Sequence, residues 1–537
     1  MEDLARGLIA QYTSLKNDRS EFDYQFQQVS DYGLGRREFT GGRSSKGRKR
    51  QKQIYDATFQ LSSDALTAAL QGLLINSASR WQRWTPEDPE LLEDEENREW
   101  IRAVTDVMYH RGWNHLEAGF ATQSHELLSD VVNFGTGAMF IGEKPGTGLF
   151  FSSRPLSEIF ITENSEGRVN AVYRRFFLTA DQAVEEYGIE SVGDKVAKAY
   201  RDPNALTTEF EFVQAVLPRQ LVKDSAIGSH RFPIARDDID VESARVVLES
   251  GYHEMPYAIP RWSKDSHELY GRGPGINALS DAITLNKVRK SDIIARQKSA
   301  EPTLLVMDDG VTGPTRTSPN AVMRIRPQVG GGHPVEYLNN PARVELNAAI
   351  TQHLRRQVQG HFHHELLEVF SDPRMTATHV LELASRTTQR IGPMLFRLQN
   401  EWLEPTIERV FGILERGGHF PERPERMKGI KLKIDYVSPA TKAQQNAEVQ
   451  SVIGIVGSAM ERSQVFPDGI DGVDPDKALK VLRDAYSGDT DILRSGKAIR
   501  KIRDAKNAAA EAQAEQEEMA QLTGMVGQLQ GKGGQPQ

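Results

Sequence analysis

The sequence predicts an α+β protein that is mostly helical, with its strands gathered in two places. Three observations point there. Residues 137–264 break into short runs rich in β-branched and aromatic residues, such as "GLFFSS", "AVYRRFFL" and "EFEFVQAVL", the pattern of strands separated by turns. Two long helical patterns, 276–299 and 341–369, enclose a second and smaller group of strands. Segment 378–416 carries an apolar helical period straight through two prolines.

At 537 residues the chain exceeds what one core supports, so several domains are expected. The absence of cysteine excludes disulfides, thiolate metal sites and thiol nucleophiles, and it suits assembly in a reducing cytoplasm. A net charge of -8 argues against wrapping nucleic acid tightly over the whole surface. The opening "MEDLARGLIAQYTSLKND" lacks the pattern of a signal peptide. No apolar run reaches the roughly 18 residues of a membrane span.

In chain order, the first thirty residues and "QKQIYDATFQLSSDALTAALQGLLI" read as helices. Between them "GRREFTGGRSSKGRKRQK" is a basic loop, either simply solvated or in contact with an anion. The acidic "PEDPELLEDEENREW" suits the start of a helix over 97–133, because carboxylates complement the helix dipole. Strands follow to about Lys264, interrupted by one helix, "TADQAVEEYG". The helix over 276–299 stops before Pro302, which removes an N–H and clashes with the preceding turn. "TLLVMD", "AVMRIRP" and "PVEYLN" are the strands of the small insertion before the second long helix. Gly392-Pro393 and Pro405 are expected to kink the helix over 378–416 without ending it. From about Tyr436 the chain is helical with turns, and it ends in an alanine- and glutamine-rich helix and tail.

No motif argues for an enzyme or a cofactor. "GRGPG" has glycines at 271, 273 and 275, the wrong spacing for a dinucleotide fingerprint. Pro274 also removes an amide that would face a phosphate. Gly271, Gly273, Pro274 and Gly275 therefore read as a hinge where a long helix leaves a globular body. "GAMFIGEKP" lacks the Gly-Lys-Ser/Thr of a P-loop. In "HFHHE", His361 and Glu365 share a helix face as two metal ligands would, but no third ligand accompanies them.

Leu346, Ile350, Leu354, Val358, Phe362 and Leu366 recur every four residues. On a 3.6-residue helix such a stripe slants, so it packs against neighbours crossing at an angle. Those neighbours are either copies in a ring or a tilted partner within the chain. Lys287, Lys290 and Lys298 fall near one face of the first long helix, with Arg355 and Arg356 on the second and Arg374 in the loop after it. They are either solvated or, if the helices line a pore, rings of charge.

The order of parts, together with "FGTGAMFI", "YGRGPG", "RMTATHVLEL", "IGPMLFRLQNEWLEPTIERVFGIL" and "YVSPATKAQQNAEV", resembles the portal, or head-to-tail connector, family of short-tailed phages (podoviruses). The resemblance implies the phage portal fold and a ring, generally a dodecamer, at one capsid vertex of the virion. It places a wing at 1–270, a first stem helix at 271–299, a clip at 300–341 and a second stem helix at 342–369. A tunnel loop at 370–375, containing Ser371 and Arg374, a kinked wing helix at 376–435, a crown at 436–510 and a tail at 511–537 follow. It further implies double-stranded DNA in the channel and, as partners, the major capsid protein and scaffold, the terminase motor, a tail adaptor and internal core or ejection proteins. On this reading, aspartate at both Leu354 and Val358 is expected to block ring formation while the wing stays folded.

Overall fold

The computed structural model describes residues 2–35, 39, 54–75, 80–88, 91–92, 94–115, 117–144, 148–222, 231–300, 304–306, 335–337, 344–364, 391–436, 451–459, 461, 501–509, 512–513 and 519. Two compact units divide the chain, residues 1–78 with 110–417 and residues 79–109 with 418–537.

The first unit is built on a five-stranded antiparallel meander. Its strands, Ile159–Glu163, Val169–Thr179, Glu209–Pro218, Ile234–Asp240 and Arg245–Tyr252, each pair with the next in chain order. Successive side chains of a strand point to opposite faces. On Glu209–Pro218, Val213, Ala215 and Leu217 pack with Ala5, Leu8 and Tyr12 of helix Glu2–Asp18. Phe210 and Phe212 turn the other way and meet Ala180, Ala183 and Val196, from helices Ala180–Tyr187 and Asp194–Arg201. With both faces covered, apolar residues occupy both sets of alternate positions from Phe212 to Leu217, interrupted by Gln214. The shorter sheet has Met139–Lys144 at its centre, between Gly148–Ser153 and Tyr257–Ala258.

Several expectations are corrected here. Strand Ile234–Asp240 escapes the sequence reading because "IARDDID" holds three aspartates, a residue depleted in strands. Two of them are satisfied locally: Asp238 accepts from Gln214 Nε2 at 3.1 Å and Tyr187 OH at 3.2 Å, and Asp240 from Ser243 Oγ at 2.8 Å. A second helix, Asp194–Arg201, joins the one expected in this region. The helix expected over 97–133 is two, Glu95–Val107 and Phe120–Phe134, separated by a π turn at Met108–Trp113 and by Gly119 at φ 69°. A left-handed φ favours glycine and breaks the helical ladder.

Two long helices, Leu279–Ala300 and Val344–His361, pack together, and the strands Leu304–Val306 and Val335–Tyr337 between them pair antiparallel. The expected strand at 321–327 lies outside the described residues. Residues 391–398 are helical, Gln399–Leu403 form a π turn and Glu404–Arg416 resume the α-helix. The irregularity thus sits beside Pro405, whose missing N–H leaves the α ladder short of a donor. Gly392 and Pro393 lie in regular helix, and residues 365–390 before them lie outside the described residues.

The second unit joins distant parts of the sequence. Strand Gln82–Pro86 pairs antiparallel with Leu432–Tyr436, placing Trp84 opposite Ile434. On helix Glu95–Val107, Trp100 donates its indole N–H to Pro421 O at 3.1 Å, and the Arg423 guanidinium lies 5.3 Å from the Trp100 ring centre. Residues 79–109, expected in the wing, therefore group with 418–537.

Candidate nucleic-acid interface

The first long helix is fastened to the body by glycines in contact. Helix Phe120–Phe134 ends at Gly135, a left-handed C-terminal residue at φ 80°. A Cβ on Gly135 would stand 2.4 Å from Gly271 O and 2.5 Å from Gly273 N. One on Gly273 would meet Val131 O and Val132 O at 2.7 Å, and one on Gly275 would meet Asn133 O at 2.5 Å. Gly271 N donates to Thr136 Oγ1 at 2.8 Å, and Trp262 N to Gly135 O at 2.8 Å. Gly271, Gly273 and Gly275 are needed for this close approach, not for the conformational freedom of a hinge. Pro274 opens the short helix Pro274–Asn277.

Beside this clasp, Arg261 is buried with its guanidinium shared among separate segments. It donates to Glu401 Oε1 at 2.7 Å in the π turn, to Gly167 O at 3.1 Å and to Glu163. Burial opposes the charge on Glu163, but hydrogen bonds from Lys264 and Arg261 outweigh it and hold this carboxyl below its usual range. No sequence pattern singles out Arg261.

The long helices run antiparallel, since His361 in the last turn of one reaches Asp281 in the first turn of the other, Nε2 to Oδ2, at 3.1 Å. Further along, Asn286 is buried and uses all four of its hydrogen-bonding positions. Its oxygen accepts from Tyr55 N at 2.7 Å and Asp56 N at 3.1 Å, and its nitrogen donates to Tyr32 O at 3.2 Å and Ala282 O at 2.9 Å. Asp56 in turn accepts from Arg355 Nη2 at 2.8 Å and Nε at 3.0 Å, with Arg289 at 3.6 Å. Burial works against the Asp56 charge, yet bonds from Thr58 and Arg355 prevail and hold the carboxyl below its usual range. Sequence reasoning missed Asn286 and Asp56. The available signal was an asparagine one helical turn after Ala282 on the inward face.

The basic residues now separate. Arg355 is half-buried and neutralised by Asp56, and Arg296 is paired with Asp292 at 3.0 Å. Lys287, Lys290, Lys298 and Arg356 are exposed, with Lys290 Nζ 5.7 Å from the Tyr55 ring centre. Among the residues of the two helices whose side chains are described, every exposed Lys, Arg, Asp or Glu is a cation. Ser371 and Arg374 lie outside the described residues.

The slanted stripe also divides. Leu354, Val358 and Phe362 are buried within the chain, Phe362 edge-on to Phe59 with ring centres 5.0 Å apart, whereas Ile350 is 41% exposed. Of the two partners the spacing allowed, one within the same chain meets Phe362, through Phe59. Aspartate at Leu354 and Val358 would consequently damage the protomer itself, a correction to the expected ring-specific effect. The side chains of Leu346 and Leu366 lie outside those described.

His361 commits one ring nitrogen to Asp281, Glu365 lies outside the described residues, and among the described residues no three candidate ligands cluster. Gly142 of the near P-loop lies in a strand, not a phosphate loop.

A probable portal protein of Bordetella phage BPP-1 is 25% identical over 97% of this chain and 93% of its own length. The portal protein of Salmonella phage epsilon15 is 25% identical over 89% of this chain and 86% of its own length. A chain from the neck of an empty gene transfer agent particle aligns with a TM-score of 0.38 at 12% identity, covering 78% of this chain and 92% of that one. The family model for the bacteriophage head to tail connecting protein matches residues 5–493. That match runs through the body, both long helices, the inserted strands and the π-turned helix, and the chain belongs to the bacteriophage head to tail connecting protein family.

Proposed function

We propose that this structural, non-enzymatic connector protein forms a ring of about twelve subunits at one capsid vertex, and that double-stranded DNA passes through it during packaging and ejection. In this reading residues 271–299 and 342–369 are the stem, 300–341 the clip, 370–375 the tunnel loop and 436–510 the crown. The ring assembles in the host cytoplasm and seeds the capsid with scaffold and major capsid protein. It then docks the terminase motor and afterwards the tail adaptor, with core or ejection proteins on its inner side.

The observation that carries the DNA role is the sorting of stem charges. Lys287, Lys290, Lys298 and Arg356 stand exposed, while buried Asp56 takes Arg355 out of play. A conduit needs contacts of this kind, few and solvated. Each neutralised phosphate adds salt-dependent affinity, and many tight contacts would hold the DNA in place. The overall charge of -8 keeps the rest of the ring from adding to them. Arg374 and Ser371 in the tunnel loop join this set.

Two measurements test the reading. Native mass spectrometry with negative-stain imaging of the purified protein, alone and with scaffold protein, is expected to give a ring of about twelve subunits with an open channel. A closed oligomer without a channel in both samples overturns it. The double substitution Lys287→Glu, Lys290→Glu is expected to leave the ring intact and to lower its affinity for a short duplex at low salt. For each subunit engaged on the duplex the salt slope should fall by about 2, near one unit for each phosphate that a lysine no longer neutralises. An unchanged slope removes these lysines from the DNA path.

A further inference from the structure

The carboxyl of Asp237 lies in the middle of the five-stranded sheet, on the face that helix Glu2–Asp18 covers. It sits between Ala235 and Ile239, both in the core under that helix. Its cross-strand neighbours are Ala215 on one side and Glu249 on the other, with Tyr173 next beyond Ala215. Asp237 has no exposure, and neither carboxyl oxygen has a hydrogen-bond partner. This is unlike Asp238 and Asp240 of the same strand, which are bonded.

The groups around it do not form an ion pair with it. Glu249, directly opposite, is a like charge, and such cross-strand pairs repel. Among the described residues, the cation whose charge acts on Asp237 is Arg219, and it is engaged elsewhere: it lies 3.5 Å from Glu249 and donates to Phe232 O at 2.9 Å and to Ser250 O. Tyr173 directs its hydroxyl to Gln11 Oε1 at 2.5 Å, and Tyr12, the titratable side chain that the helix buries here, directs its own to Glu211 at 3.2 Å. Asp238 faces the other side of the sheet and adds negative charge. Burial first, and then the Glu249 charge, push the Asp237 carboxyl up to about 7, with Arg219 opposing.

We propose that Asp237 is a proton-held latch: carrying a proton, it lets helix Glu2–Asp18 close over the sheet, and losing it loosens that helix. The direction follows from linkage. A carboxyl whose value is raised in the closed state favours closure below its ordinary value of 3.8. That advantage is lost progressively as pH rises through the raised value and changes no further above it. Since opening returns Asp237 to water, the opening constant of the helix should rise about tenfold per pH unit across this window.

Amide hydrogen exchange over residues 2–18 of the full chain at pH 5, 6, 7 and 8, corrected for intrinsic exchange, reads that constant. The expected result is a rise of about tenfold per unit from pH 5 to near 7, then a plateau, and a flat profile in Asp237→Asn. A flat profile in the unaltered protein, or an equal slope in Asp237→Asn, overturns the proposal. Should Asp237→Asn not fold, Glu249→Gln decides instead. Removing the like charge should move the plateau to lower pH, and an unmoved plateau overturns the proposal equally.

Discussion

Val358→Asp is expected to cost the protomer more than about 4 kcal/mol, enough to exhaust most of the stability of an ordinary domain. Val358 is fully buried, and Leu354 and Phe362, one stripe position to either side, are buried as well. An unpaired buried charge is among the few single changes with effects this large. The measurement is chemical denaturation of the purified chain, followed by tryptophan fluorescence. Ile350→Asp, two stripe positions earlier and 41% exposed, is the control. It should change stability by no more than about 0.5 kcal/mol, as exposed substitutions usually do. Equal losses for the two variants would contradict the division of the stripe into buried and exposed parts.

Gly135→Ala should be nearly as severe. The substitution forces a side chain into a left-handed φ of 80°, costing about 1–2 kcal/mol. It also drives a Cβ against two backbone atoms, at 2.4 and 2.5 Å, that belong to Gly271 and Gly273. Backbone cannot rotate aside as a side chain can, so about 1–3 kcal/mol of overpacking adds to the strain. Gly360→Ala is the contrast, because nothing lies within 4 Å of a Cβ there and the residue is helical. That change should stabilise the chain by roughly 0.5–1 kcal/mol. A melting experiment on both variants distinguishes close contact from flexibility as the reason for glycine. If Gly135→Ala melts like the unaltered chain, the clasp is not as tight as the geometry indicates.

What the sequence disclosed follows from which interactions are local. Val169–Thr179 and Glu209–Pro218 were legible as strands because β-branched and aromatic content is a property of adjacent residues. Ile234–Asp240 was not, since Asp238 is satisfied by Gln214 and Tyr187, partners that lie on other elements of the fold. Arg355 and Arg356 are neighbours and look alike in the sequence. Asp56, 299 residues before Arg355, makes one of them structural and leaves the other exposed. The glycines at 271, 273 and 275 stand out in the sequence, but the backbone they make room for belongs to Asn133 and Gly135, at a different helix end. Family resemblance suggested that the two long helices form a stem, and geometry separates their paired charges from the exposed ones.

The pairing of Gln82–Pro86 with Leu432–Tyr436 carries a consequence for biosynthesis. Thr85 Oγ1 donates to Asp435, a partner 350 residues later in the chain. At about 5–20 residues per second, a ribosome takes roughly 20–70 s to cross that distance. The five-stranded meander, by contrast, is complete once Tyr252 has emerged, and each of its strands pairs only with those adjacent to it in the chain. During the interval the early strand, with Trp81 and Trp84 beside it, has no edge to join. An unpaired edge flanked by large aromatics is a template for association with other nascent chains. Translation speed and chaperone supply in the infected cell should therefore govern the yield of soluble protein more strongly than the final stability of the fold.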